Sequence, residues 1–302
     1  MLDYKEIQRI KTLYKKKQNI MKYLRTKNNI DLNSPEIISY SYDLQAGSYL
    51  EKLKDIEFRK TRQKIGAKIS GIISKFDAQT VLEAGVGEAN TLYYVVNSGL
   101  SKKSTFFGFD ISLSRLLYAK KYLSKLQKKN LTLFCSELSD IPLEDNSIDL
   151  TYTFHAIEPN HGREEAILRE LLRVTRNYLV LIEPSYELGS VATKKHIEKH
   201  GYCRNIPRII KRLGFPIISY ELFGYSMPTN ENAIIIVQKN KKKIMKHIQK
   251  NIFISPISHK PLHRYKECWY CKDDGYAYPI INDIPCFLKE NAILVSKLSN
   301  FK

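Results

Sequence analysis

"VLEAGVGEAN", residues 81–90, sets two glycines one residue apart directly behind an apolar run. Such a run ends a buried strand, and a glycine pair lets the chain turn sharply while leaving its main chain bare. Downstream, apolar and helical segments alternate: "TFFGFDI", a helix over 113–126, "LTLFCS", "IDLTYTF", a helix over 164–174 and "YLVLIEP", with a short helix over 90–96 after the glycines. This spacing predicts a parallel sheet covered on both faces. "ISYELFGYS" and "NAIIIVQ", joined through "MPTNEN", read as an antiparallel hairpin closing that sheet.

Upstream, Ile7, Ile10, Leu13, Tyr14, Met21 and Leu24 recur at helical spacing and predict one amphipathic helix that docks on the main domain. After the breaker "NNIDLNSPE", the stretch "ISYSYDLQAGSYLEKL" reads as turn-rich, and a long helix through Ile65, Ile69 and Ile73 delivers the chain to Val81. The expected division is a helical extension and lid over 1–60, an α/β domain over 61–240, a basic linker over 241–250 and a small β-rich module over 251–302. Within 302 residues, 43% of them hydrophobic, such a chain fills a proper core. No apolar run approaches the ~18 residues of a membrane span. Five scattered cysteines form no disulfide framework, so a reducing cytoplasm is the expected compartment. The net charge of +18 fits three readings: lysine-rich surface composition, an RNA or acidic-glycan substrate, or an anionic membrane surface.

In an open parallel sheet, ligands bind beyond the carboxyl ends of the strands, where Gly85 and Gly87 stand. Glu83 places a carboxylate at that turn, which would repel a pyrophosphate. Asp110 ends the second strand at the separation expected of a carboxylate that accepts from ribose hydroxyls. Glu137 follows the third strand, ahead of a turn with Pro142. A ligand with a cationic amino-acid end, a ribose and an adenine matches these acids in order.

Over residues 81–184 the chain resembles the class I S-adenosylmethionine-dependent methyltransferases. "LEAGVGEAN" is similar to their E/D-x-G-x-G loop, Asp110 to their ribose acid, and "ELSDIPLEDNSIDL" to their D-x-x-x-LP-x-x-D-x-S-x-D segment. The resemblance implies a doubly wound, mostly parallel seven-stranded sheet with a reversed last strand, and S-adenosylmethionine as cofactor. It puts Glu83, Gly85 and Gly87 at the methionine end, Asp110 with Ile111 at the ribose, and Glu137 with the Leu138 backbone at the adenine. Glu137 departs from the family's usual Asp.

The end of the fourth strand, "TFHAIEPNHGREE", faces the acceptor in such a fold. It offers His155 and Glu158 as catalytic candidates, with Asn160 and His161 nearby, because a histidine can take the proton of a hydroxyl acceptor. Glu183, Tyr202 and Arg204 are further candidates for the acceptor wall, and Tyr42, Gln45 and Tyr49 for a lid. The absence of "NPPY"-like, "DPPY"-like and Pro-Cys segments leaves an oxygen or a simple nitrogen as acceptor atom.

The tail, "ISPISHKPLHRYKECWYCKDDGYAYPIINDIPCFL", resembles the zinc-ribbon-like activating subunit of tRNA and release-factor methyltransferases, most closely at "AYPIINDIPCFL". Serines at 255 and 258 replace one ligand pair, so only Cys268 and Cys271 remain of four expected ligands and no metal is expected. Such a module serves acceptor recognition, stabilises the catalytic domain or forms a homodimer contact. The sequence therefore predicts a methyltransferase acting on an oxygen or nitrogen of a small molecule, sugar or glycan intermediate. An RNA or protein acceptor, and a non-catalytic cofactor-binding protein, are the alternatives.

Overall fold

The computed structural model describes residues 2–99, 103–126, 130–225, 229–240 and 251–300, so the basic linker expected over 241–250 lies outside the described residues. Five helices come first: α1 (Tyr4–Lys15), α2 (Ile20–Asn28), α3 (Pro35–Leu44), α4 (Ser48–Lys52) and α5 (Ile56–Lys75). The single N-terminal helix read from the sequence is two. Lys17 takes φ 57°, and the Asn19 side chain caps a new helix by accepting from the Lys22 amide at 2.9 Å. The Tyr-rich stretch read as turns is helical as well. Ser34 caps α3 ahead of Pro35, and the chain breaks only at Gly47, φ 93°. Helix α5 runs unbroken through residues 60 and 61.

The α/β unit then alternates as β1 (Thr80–Ala84), α6 (Leu92–Asn97), β2 (Thr105–Asp110), α7 (Leu113–Leu123), β3 (Leu131–Cys135), β4 (Ile148–Phe154), α8 (Glu164–Val174), β5 (Thr175–Pro184), α9 (Val191–His200), α10 (Ile206–Arg212), β6 (Ile217–Leu222) and β7 (Asn232–Gln238). Its seven strands order as β3-β2-β1-β4-β5-β7-β6, with β7 antiparallel to both neighbours. Both faces are buried, and successive residues feed opposite cores: Leu179 and Leu181 enter one, Val180 and Ile182 the other. The order reverses direction between β1 and β4, which opens a crevice at their carboxyl ends.

The last fifty described residues carry β8 (His263–Tyr265), β9 (Cys268–Tyr270), β10 (Tyr276–Ile281), β11 (Ile284–Pro285) and β12 (Ile293–Leu294), a second sheet. They dock on edge strand β3. The Phe287 amide donates to the Cys135 carbonyl at 2.8 Å, and Phe134 packs against Phe253 and Phe287 at ring distances of 5.4 and 6.1 Å. Covering an edge in this way satisfies backbone groups that would otherwise template aggregation.

The two cysteines expected as the remaining ligand pair do not share a partner in this module. Cys268 and Cys271 face different partners: the Cys268 thiol donates to the Tyr265 carbonyl at 3.2 Å, whereas Cys271 Sγ lies 3.7 Å from Ser258 Oγ. Opposite Ser255 and Ser258 stand Cys271 and Asp274, at the tip of the loop between β9 and β10. Both serine hydroxyls donate to Asp274 Oδ2 at 2.6 Å, and the Tyr276 amide donates to Oδ1 at 2.9 Å. Burial works against the Asp274 charge, but these donated bonds hold its carboxyl below the ordinary range. Among the described residues no group of three or more His, Cys, Asp or Glu side chains stands close enough to hold a metal.

Candidate active site

At the carboxyl ends of β1, β2 and β4 lies a cleft whose lining includes Glu83, Gly85, Gly87, Asp110, Ile111, Glu137 and Leu138, expected at the cofactor, and His155 and Glu158, the catalytic candidates. Its roof comes from α3 and α4, through Pro35, Ile38, Tyr42 and Tyr49; Gln45 of the expected lid does not line it. About 910 Å³ of empty space lies within it, its solvent-open mouth included.

The glycine loop takes left-handed turns that favour glycine, and at Gly85 a close contact requires it. Gly85 has φ 74°, and a Cβ there would sit 2.4 Å from the Ala156 Cβ. Gly87 has φ 55°, and a Cβ there would sit 2.5 Å from the Arg115 guanidinium. The Gly87 amide donates to Asp110 Oδ2 and the Ser112 amide to Oδ1, both at 2.9 Å. Asp110 thus ties the loop to β2, and each of its oxygens keeps a lone pair for a further donor.

Glu83 is buried at the root of the loop, where the Tyr152 hydroxyl donates to its Oε2 at 2.5 Å. Burial pushes its carboxyl up to about 8, against the pull of that bond and of the Arg62 charge. Arg62, from α5, lies in the same cleft, its guanidinium 4.9 Å from the rings of Phe58 and Phe154. An acid and a base therefore stand together at one end. Farther along, Arg115 lies between the rings of Tyr42 and Tyr49, at 5.0 and 5.2 Å, with its Nε buried and without a hydrogen-bond partner.

Glu137 lies across the cleft but is engaged by the Arg163 guanidinium and by the Ser139 hydroxyl, 2.6 Å away. The other acids of that segment serve the scaffold: Asp145 pairs with Arg173, and Asp149 with Arg176 and the amides of Gln79 and Thr80.

On the acceptor side, His155 Nδ1 lies 3.0 Å from Glu158 Oε2. His155 has φ 57°, a left-handed conformation costly for a residue with a side chain and concentrated at functional sites. With Nδ1–H given to Glu158, the ring's lone pair is on Nε2. Asn160 lines the cleft, whereas His161 does not and pairs with Glu164 at 2.7 Å. Glu183 is no part of this cleft's wall: it is buried beneath the 155–158 loop and spends its carboxylate on backbone amides there. Tyr202 and Arg204 do not line the cleft either.

Sequence reasoning missed Arg62, Arg115, Tyr152 and Glu88. Glu88 is fully buried within the glycine loop, and its carboxylate accepts from the amides of Gly47, Tyr49 and Leu50 at 3.0, 3.3 and 2.8 Å. It thereby pins the roof to the loop. A glutamate directly after G-x-G was visible in the sequence; its partners, some forty residues earlier, were not.

Residues 81–178 match the family described as "Methyltransferase domain". The chain thus carries a methyltransferase domain and is an enzyme of that class. Two structures of the magnesium protoporphyrin IX methyltransferase from Synechocystis PCC 6803 are similar to it in fold. The one with bound SAH is 12% identical, covers 68% of this chain and 100% of its own, and superposes with a TM-score of 0.54. The one with bound SAM is 13% identical, covers 70% and 99%, and gives 0.52. None of the curated proteins compared matches the chain. The cofactor of such a domain is S-adenosylmethionine, and the cleft fits it: a buried acid and a half-buried cation share one end, a carboxylate with lone pairs to spare stands mid-cleft, and a bare glycine backbone lies between them.

Proposed function

We propose that this chain transfers the methyl group of S-adenosylmethionine to an oxygen or nitrogen of a small molecule, sugar or glycan intermediate, with His155 as general base and Glu158 orienting it. The observation that carries the reading is the His155–Glu158 pair, 3.0 Å apart on a left-handed turn, in the same cleft as Glu83, Gly85 and Asp110. S-adenosylmethionine, when bound, supplies a methyl group on a sulfonium centre, a leaving group ready-made. Glu83 and Arg62 hold the ammonium and carboxylate of its amino-acid end, Asp110 beside Ile111 takes the ribose hydroxyls, and Glu137 with the Leu138 backbone borders the adenine. His155 Nε2 takes the proton that the acceptor loses, while Glu158 fixes the ring's tautomer and balances its charge. Tyr42 and Tyr49 exclude water from above.

The roof over the cleft favours a small acceptor over an RNA or a protein, and the lysine-rich surface is then background. Methyl-labelled S-adenosylmethionine, incubated with the protein and fractionated extracts of its own cells, places label in the small-molecule or glycan fraction. Label confined to RNA or protein contradicts this acceptor class.

Residues 251–302 are, in this reading, a zinc-ribbon-like module whose ligand positions are Ser255, Ser258, Cys271 and Asp274, held by hydrogen bonds where a metal would sit. Hydroxyls are poor zinc ligands. Chelator or added zinc accordingly leaves the melting temperature unchanged; a shift of several degrees with either contradicts the assignment. The free thiols of all five cysteines support a reducing, cytoplasmic setting.

A further inference from the structure

Glu183 is buried and forms no salt bridge among the described residues; its carboxylate accepts from backbone amides. Oε1 accepts from Ala156 and Ile157 at 3.0 and 3.2 Å, and Oε2 from Glu158 at 3.3 Å. Three successive N–H groups converging on one anion form a nest, and the left-handed residue that opens it is His155. The His155 amide itself still belongs to the sheet, donating to the Ile182 carbonyl at 3.1 Å. The chain therefore leaves the β4–β5 ladder and bends within one residue around the side chain of the next residue of β5.

We infer that Glu183 is a positioning residue for His155, its carboxylate filling the amide nest of residues 156–158 and so holding the strained turn that keeps the His155–Glu158 pair in the cleft. The turn also carries Ala156, against which Gly85 packs, so the same carboxylate sets the spacing between the acceptor side and the glycine loop. The inference rests on the reading of His155 as base; the clamp itself does not.

Charge makes the clamp dependent on pH. The groups facing Glu183 are His155 and Glu158 on the loop, and Cys203, Glu187 and Arg204, which border a small cavity beside it. Burial raises its carboxyl to about 7; the nearby His155 pulls it down and Glu158 pushes it up. Because the folded value lies above the ordinary one of 4.5, the protein gives up stability as pH rises from there through about 7. The ionised carboxylate that three amide donors prefer is present only above that window.

Hydrogen–deuterium exchange of the amides of residues 156–158, corrected for intrinsic rates, tests the clamp without reference to activity. In the wild type their protection falls as pH rises through about 7, because opening the turn lets the raised carboxyl ionise in water; in Glu183→Gln, which keeps the shape but not the charge, that step is absent and exchange is faster throughout. In turnover, Glu183→Gln lowers kcat by about 10²-fold, the scale of a small misplacement of a catalytic group, with acceptor KM and S-adenosylmethionine Kd within about twofold. Glu183→Asp, which restores the charge, regains part of the lost kcat. Unchanged exchange in Glu183→Gln, or a kcat equal to that of the wild type, overturns the inference. Should Glu183→Gln not fold, a wild-type exchange profile without a step overturns it equally. A wild type that shows the step but transfers no methyl group to any fraction keeps the clamp and sinks the methyl-transfer reading instead.

Discussion

Replacing His155 by alanine lowers kcat by about 10²–10⁴-fold, the usual contribution of a positioned general base, while S-adenosylmethionine affinity stays within about twofold. The asymmetry follows from the cleft. His155 stands on the turn after β4 with its Nδ1 on Glu158, whereas the acid, the cation and the glycine backbone of the cofactor end come from β1, α5 and the loop before α6. In the proposed role the imidazole acts in the transition state, so removing it leaves the cofactor's contacts standing. Alanine also keeps a side chain at φ 57°, so the turn's strain is not relieved and the change reports on the ring. Single-turnover rates with saturating cofactor measure it; equal rates for variant and wild type return His155 to a structural role.

S-adenosylmethionine affinity falls by up to about tenfold for each pH unit below about 8, because one carboxyl must lose a proton for the ligand to bind. In the proposed binding mode that carboxyl is Glu83. Buried, it stays protonated up to about pH 8 in the free protein, with Arg62 pulling the value down and Asp110 adding to the rise. A cationic ammonium placed against it favours the ionised form, so binding expels a proton at neutral pH. The sign for stability is opposite in the free protein: with a folded value above the ordinary 4.5, stability is fully present below that pH and is lost as pH rises through about 8. Calorimetry at pH 7 in two buffers of different ionisation heat returns close to one proton released per cofactor. Glu83→Gln removes the linkage and weakens binding. Proton release that persists in Glu83→Gln assigns the linkage elsewhere.

The parts of this site that were legible in the sequence are those fixed by local chemistry. The glycine pair had to sit at a tight turn, and Asp110 at a strand end, because strand–turn–helix spacing allows little else. Strands β4 and β7 and helix α8 begin and end where their apolar patterns do. What the sequence hid depends on contacts between distant segments. Arg62 lies on the exposed side of the periodic pattern of α5, and only the neighbouring Phe154 makes it a cleft residue. Glu83 reads as an ordinary carboxylate until Tyr152, directly across in β4, shows how little else solvates it. Glu183 followed an apolar strand at the expected acceptor wall, yet the sharp bend at His155 turned its partners into amides beneath the loop. In the tail, two cysteines three residues apart drew the eye to Cys268, whereas the turn ending at Gly275 places Cys271 and Asp274 together.

The claim on which the rest depends is that the cleft holds S-adenosylmethionine with its ribose on Asp110. Calorimetric titration of S-adenosylmethionine into the wild type and into Asp110→Ala, each checked by thermal denaturation to be folded, tests it most directly. One site per chain in the wild type, weakened by about 1–3 kcal/mol in the variant as expected for unpairing buried polar groups, is the predicted result. No binding by the wild type, or equal affinity in the two, contradicts it.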